Sequence, residues 1–235
     1  MWEFDMNAGF LLKALLLSSL VVCIAPPTQA SNLFCAPFLH GKVAQPALDT
    51  MLDAARLGHL YRIDAKTSEV DFCVDSRIKR VRGRFRDVEG GIAMKPRAER
   101  HGQALLAIDT DSVSTSNPLI ENIIKSETFI DVAHYPEILF VSTGFEWLAE
   151  TTGVLKGDLT LRGITRPVTF NVEISDLDGN RVGNSDTLLI SIVTTIRRAD
   201  FGMKKMAGMV SETVQLCMRV LAKKSGHTCL QCHDK

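Results

Sequence analysis

Gly157-Asp158-Leu159-Thr160-Leu161-Arg162-Gly163-Ile164-Thr165-Arg166-Pro167-Val168 reads as strand, tight turn, strand. Leu159 and Leu161 share one face, and Asp158, Thr160 and Arg162 share the other, the period of a half-buried strand. Gly163 supplies the positive φ that a hairpin turn often needs. Pro167 is expected at the very start of the second strand, where a missing N–H is tolerated. Val168, Phe170, Val172 and Ile174 then alternate again. Two strands around a short turn predict antiparallel sheet.

Outward from this hairpin the pattern repeats. Val70, Phe72 and Val74 alternate with Asp71, Cys73 and Asp75. Val81, Gly83 and Phe85 alternate with Arg82, Arg84 and Arg86, which reads as a solvated outer strand face. Gly90-Gly91 marks a turn or bulge. Further strands are expected over 103–110, 138–142, 153–162, 168–174, 188–196 and 213–220. Pro118 to Ile130 breaks the pattern: Leu119, Ile120, Ile123 and Ile124 predict a short amphipathic helix with Asn117 as its N-cap. Residues 176–186 read as a loop. Eight or so antiparallel strands with one helical insert predict a barrel or a sandwich.

Upstream, residues 1–30 read as an export signal. Lys13 precedes an apolar run from Ala14 to Ala25, and Thr28-Gln29-Ala30 is an acceptable cleavage site. Met6 is an alternative start that removes Glu3 and Asp5 from the n-region. Acylation at Cys23 and an uncleaved anchor are the alternatives. In residues 31–58, Leu48, Met51, Leu52 and Ala55 recur at helical spacing after Pro46, and Gly58 can end the helix. This extension is expected to cover an open end or edge of the main domain, or to dock a partner. The 27 basic and 27 acidic residues cancel. A charge near +1 after loss of residues 1–30 argues against nucleic acid, and against broad electrostatic attraction to a membrane, as partners. No integral membrane span is expected once the leader is removed.

Taken in order, these segments resemble the YceI-like family of periplasmic, lipocalin-like polyisoprenoid-binding proteins, from about Tyr61 to Lys223. The resemblance rests on Tyr61-Arg62-Ile63-Asp64 with Ser68, Val70 and Phe72, on Val81-Arg82-Gly83-Arg84-Phe85 followed by Gly90 or Gly91, and on Ser112 with Thr115. It continues through Phe129, Tyr135-Pro136 and Phe140, the Gly157–Val168 stretch, and Arg198-Ala199-Asp200-Phe201-Gly202. Ile130 and Arg197 depart from the family pattern, which often has Phe and Asn there. The resemblance implies a mainly β fold, an eight-stranded antiparallel barrel, with a short helical insert and the helical N-terminal extension. The barrel would occupy residues 59–223, ahead of a Cys/His tail at 224–235. It implies a polyisoprenoid or quinone-like lipid in an apolar tunnel, held in a periplasmic carrier without enzymatic turnover. The inward candidates are Phe72, Val74, Phe85, Phe140, Leu159, Leu161, Phe170, Ile190, Ile192, Phe201, Leu216 and Met218. Arg197 and Arg198 are neighbours in a strand and should point to opposite faces. One is expected either at the barrel mouth, meeting a polar head group, or in a surface ion pair.

Five cysteines follow the leader: Cys35, Cys73, Cys217, Cys229 and Cys232. In a closed barrel the first and last strands are neighbours, so a Cys73–Cys217 disulfide is expected. Cys229-Leu230-Gln231-Cys232-His233 is a literal C-x-x-C-H, the pattern of covalent c-type haem attachment. Its alternatives are a disulfide on the tail, pairing with Cys35, and a metal site with His227. A haem there would make a small redox protein with a barrel-bound quinone. No catalytic constellation is evident: His134 has no nucleophile nearby in sequence, and Glu146 and Glu150 read as surface carboxylates. A homodimer is left open, as is a purely structural module docking through 31–58.

Overall fold

The computed structural model describes residues 43–94, 102–180 and 185–225. Eleven strand segments, all antiparallel, run in the order β1-β4-β5-β7-β8-β9-β10-β11-β2-β3-β6, and a β1–β11 pairing closes the ring. The segments are β1 (Leu60–Ile63), β2 (Glu69–Ser76), β3 (Arg80–Phe85), β4 (Val88–Met94), β5 (Gly102–Asp109), β6 (Val113–Thr115), β7 (Glu137–Trp147), β8 (Thr152–Leu161), β9 (Ile164–Ser175), β10 (Thr187–Arg197) and β11 (Val210–Lys224).

Three of the barrel's strands are interrupted. β1 and β2 both lie against β11, joined by a turn in which the Asp64 carbonyl accepts from the Thr67 and Ser68 amides at 3.1 and 2.9 Å. β3 and β4 break at Arg86-Asp87. β5 and β6 are separated by a 3-10 turn at Thr110–Ser112, where the Asp109 carboxylate accepts from the Asp111 amide at 2.8 Å. Counting each interrupted pair as one strand gives an eight-stranded up-and-down barrel whose first and last strands meet. Closure leaves no long open edge.

The hairpin at its heart is tighter than its sequence suggests. Leu161 opposes Ile164, so the loop is two residues, Arg162 and Gly163, with φ of 52° and 68°. Both angles are left-handed, the geometry of a type I′ turn whose twist suits flanking strands. Arg162 is therefore a turn residue. It is not an outward strand residue; its guanidinium lies 5.9 Å from the Tyr135 ring centre and 3.7 Å from Asp131. Pro167 also differs from expectation, sitting three residues inside β9 opposite Asp158. A two-residue loop makes 161/164 a hydrogen-bonded pair, so 158/167 is a non-hydrogen-bonded one, and the position's missing N–H points away from β8. β9 pairs with β10 only from Asn171 onward, so no ladder bond is lost there.

Two helices attach to the barrel. α1 (Gln45–Arg56) has Pro46 in its first turn and ends at Leu57 before Gly58, whose φ is 70°. It buries Leu48, Met51, Ala54 and Ala55 against Leu60, Ala93, Leu105, Ala107 and Leu139. These are outward residues of β1, β4, β5 and β7, so α1 lies flat on the barrel's outer wall instead of covering an end or edge. The reason was present in residues 104–108: Ala104, Leu106 and Ile108 face in, Leu105 and Ala107 face out, and a strand apolar on both faces needs a cover on each. α2 (Pro118–Lys125) is capped by Asn117 Oδ1, which accepts from the Leu119 amide at 2.9 Å. It packs beside β6, at the barrel end also bounded by the β2–β3 hairpin and the 198–209 loop.

Elsewhere on the outer face, Arg84 binds Asp71 through Nε and Glu69 through Nη1, both at 2.6 Å. The expected Cys73–Cys217 disulfide is not formed; both thiols are free. Cys73 opposes Gln215, and Cys217 opposes Asp71. The two cysteines are thus diagonal neighbours, at about 7–8 Å, outside ordinary disulfide reach. The leader, Cys35, and the tail with Cys229, Cys232 and His233 lie outside the described residues.

Candidate functional site

The barrel encloses an apolar cavity of about 410 Å³. That falls within the range of about 300–1,000 Å³ usual for small-molecule sites. Each strand contributes inward residues by period-two alternation. β8 supplies Leu155, Leu159 and Leu161, and β9 supplies Phe170, Val172 and Ile174. Aromatic rings line the lumen in pairs. Phe140 meets Phe170 edge-on at 5.1 Å between centres, Phe72 meets Phe85 at 5.6 Å, and Phe145 meets Trp147 at 4.8 Å. Such pairs are worth roughly 0.5–1.5 kcal/mol beyond area burial.

Glycines make room for the rings. A Cβ at Gly157 would come within 2.5 Å of both the Phe140 ring and the Val141 carbonyl, and one at Gly83 within 2.2 Å of Phe72. The glycine that opens the Gly157–Val168 stretch is thus required by an aromatic neighbour in the lumen wall.

Of the thirteen expected site residues, twelve line the cavity: Phe72, Val74, Phe85, Phe140, Leu159, Leu161, Phe170, Ile190, Ile192, Arg198, Leu216 and Met218. Phe201 does not. It is 2% exposed, packed into the core at the end of a 3-10 turn (Arg198–Phe201) that follows β10. Once the chain leaves β10 the alternation no longer indicates direction. Val74, Val214 and Leu216 face the lumen yet stay half-buried, because open space lies in front of them.

Several lining residues escaped the sequence reading. Ile120 and Ile123 of α2, Ile78 at the tip of the β2–β3 hairpin, and Met203, Met206 and Met209 of the following loop bound one end of the cavity. The helical spacing of Ile120 and Ile123 was visible. The side of the barrel on which they close was not. Ile78 and the methionines belong to loops, where no period exists to read.

The polar lining is sparse: Ser76, Arg77, Lys79, Gln103 and Arg198. Among the described residues, no carboxylate, histidine or cysteine lines the cavity. Gln103 donates to the Ser142 carbonyl at 2.8 Å and to its hydroxyl at 3.1 Å. Arg198 is 2% exposed and binds backbone alone. Nε donates to the Ser211 carbonyl at 2.8 Å, Nη1 to the Met203 carbonyl and to that of Lys205 at 2.7 Å, and Nη2 to that of Val210 at 3.3 Å. Four of its five N–H groups are therefore occupied. Arg198 ties down the 198–210 loop, with little left to grip a head group. Arg197 points the other way, exposed, 3.6 Å from Glu212.

His134 lies away from the lumen. Its Nδ1 is 2.8 Å from Asp131 Oδ1, and that hydrogen bond raises its pKa above the ordinary histidine value. Among the described residues no group of three or more His, Cys, Asp or Glu side chains could hold a metal ion. None of the described helices is long and apolar enough to cross a membrane.

A family model described as a YceI-like domain matches residues 61–222. A UPF0312 protein of Pseudomonas putida W619 is 31% identical over 140 residues, spanning 60% of this chain and 72% of the relative. The UPF0312 protein of Pseudomonas syringae pv. tomato is 34% identical over 141 residues, 58% of this chain and 70% of the relative. BcnA of Burkholderia cenocepacia aligns with a TM-score of 0.62 at 22% identity, covering 68% of this chain and 99% of its own. A polyisoprenoid binding domain from Saccharophagus degradans, implicated in plant cell wall breakdown, aligns with a TM-score of 0.52 at 19% identity, covering 70% and 98%. At these identities the structural likeness shows the fold.

Proposed function

The chain belongs to the YceI-like family, and on that premise we propose that it is an exported, non-catalytic carrier of a long-chain apolar lipid, isoprenoid-tailed, held in the barrel lumen. The observation that carries this reading is the cavity itself. About 410 Å³ of space is left open within walls of Phe, Leu, Ile, Val and Met. A natural interior packs to crystal-like density, so an apolar void of this size calls for an occupant. Each buried CH₂ is worth about 0.8 kcal/mol, and a polyprenyl tail is a string of such units. The description of the Saccharophagus domain supports the same ligand class. Export to the periplasm is supported by the leader-like sequence of residues 1–30 and by the family.

The test is native mass spectrometry of the protein exported to the periplasm. The wild type should carry a lipid adduct; the same spectrum reads any covalent haem on the Cys229–His233 tail. Leu216→Asp sets a carboxylate in accessible lumen space and should remove the adduct while the protein stays folded. Phe170 would be a poor choice, because it is 2% exposed and packed edge-on against Phe140. Leu216→Asp protein with a full lipid complement would overturn the lumen assignment.

A further inference from the structure

At one end of the barrel the apolar lining does not stop at the surface. Ile78 is 89% exposed, Met209 51%, Ile123 45% and Met206 37%, yet all four line the cavity. The cavity therefore opens between them. Leu119, 73% exposed on α2, extends the apolar rim.

The rim is built, not frayed. The Arg77 amide donates to the Met209 carbonyl at 2.9 Å, joining the β2–β3 hairpin to the 203–209 loop. Lys205 Nζ meets Glu127 Oε1 at 2.6 Å, joining that loop to the segment after α2. Met206 holds a left-handed φ of 60° at the opening, and its carbonyl accepts from the Met209 and Val210 amides, both at 3.1 Å.

Charge surrounds these tips. Arg80 is paired with Asp75 at 2.8 Å, and Lys205 with Glu127. Exposed Arg77, Lys79 and Lys204 have no carboxylate partner among the described residues. The nearby acids are largely engaged, Glu121 by the Thr115 amide and Lys125, and Asp131 by His134 and Arg162. Exposed Asp200 is beside Arg166, which donates to its carbonyl at 3.3 Å. Unpaired charge at the lip is thus mainly positive, a feature hidden by the near-neutral whole chain.

We propose that this end of the barrel docks on an anionic lipid bilayer, with Ile78, Met206, Met209 and Ile123 entering the interface and Arg77, Lys79 and Lys204 at head-group level. Apolar tips ringed by cations match such a surface in both hydrophobicity and sign. A second copy fits less well, because a twofold contact through this patch would set the same cations against each other. Docking here opens the lumen towards the phase in which a long-chain lipid resides, so the tail passes from bilayer to barrel without crossing water. The proposal rests on the lumen reading above, and the following experiment separates the two.

The full mature chain is sedimented with vesicles of phosphatidylglycerol and phosphatidylethanolamine, and with vesicles of phosphatidylcholine alone. Binding should favour the anionic vesicles and weaken with salt. Lys79→Ala and Lys204→Ala should each weaken it about fivefold, the worth of one cation near a charged bilayer. Ile78→Asp with Met209→Asp should weaken it more than about tenfold while leaving the thermal midpoint unchanged, since both positions are exposed. Leu216→Asp, emptied of lipid, should bind vesicles like the wild type. Absence of binding, equal affinity for both vesicle types, or wild-type binding by the Ile78/Met209 variant overturns the proposal. So does a dimer in sedimentation velocity that this variant dissolves, which would assign the patch to a second copy. Vesicle binding by a protein that never carries lipid would leave docking standing and remove the lumen reading.

Discussion

Two apolar regions share the wall formed by β4, β5 and β7. On its outer side Leu105, Ala107 and Leu139 meet Met51, Ala54 and Ala55 of α1, and the space is filled. On its inner side Leu106, Ile108 and Phe140 face an open cavity. The residues are alike in kind, and the strands are the same strands. What differs is the supply of partners. A helix brings side chains to within contact of the outer face, whereas barrel curvature holds the opposite inner wall apart. Apolar alternation records which side of a strand avoids water; it does not record whether anything is packed there.

The sharpest way to break this contrast is to truncate one residue on each side. Met51 has no exposed surface, so Met51→Ala should cost about 2–5 kcal/mol in urea unfolding of the lipid-free protein. Leu216→Ala, which only enlarges existing space, should cost less than about 1 kcal/mol. Equal costs would mean that the lumen is a packed core. Filling the lumen should next change the balance: delipidated protein reloaded at a hundred times the dissociation constant gains about 2.7 kcal/mol. Leu216→Asp should gain nothing, and a matching gain would place the ligand outside the barrel.

Glycine substitutions sharpen the same point within one wall. Gly157→Ala drives a Cβ into Phe140 and should cost about 1–3 kcal/mol. Gly144→Ala meets nothing within 4 Å and should stay within about 0.5 kcal/mol. The smallest effect concerns pH. Among the described residues no carboxylate or histidine lines the lumen, so their titration should act on peripheral pairs such as His134–Asp131. The folded pKa of His134 is raised, so its contribution is complete below the unfolded value of about 6.5 and fades as pH rises through the folded one. An NMR titration of the His134 ring with a midpoint at or below about 6.5 would contradict this pairing.

The strands were legible because alternation survives in a half-buried sheet: Leu159, Leu161, Phe170, Ile190 and Ile192 all face inward as their spacing predicts. The helix caps at Asn117 and Gly58 were legible because each fills a local backbone need. The interruptions at 64–68, 86–87 and 110–112 were not, since they depend on register against neighbouring strands. The position of α1 was concealed by distance along the chain, although the two-sided strand 104–108 asked for it. Phe201 was misplaced because a 3-10 turn replaced the strand period. The diagonal offset of Cys73 and Cys217 is a matter of two residues in register, below what pattern alone resolves.

Arg198 carries a consequence of a different kind. Its partners are peptide carbonyls, which do not titrate. A loop clamped by a lysine–glutamate or histidine–aspartate pair would loosen as its surroundings acidified or turned alkaline. The loop that frames the lumen's opening has both kinds of tie: the Lys205–Glu127 pair to the segment after α2, and the Arg198 clasp, whose acceptors include no carboxylate. Acid therefore loosens the loop's tie to the segment after α2 and leaves its carbonyl ties to Arg198 in place.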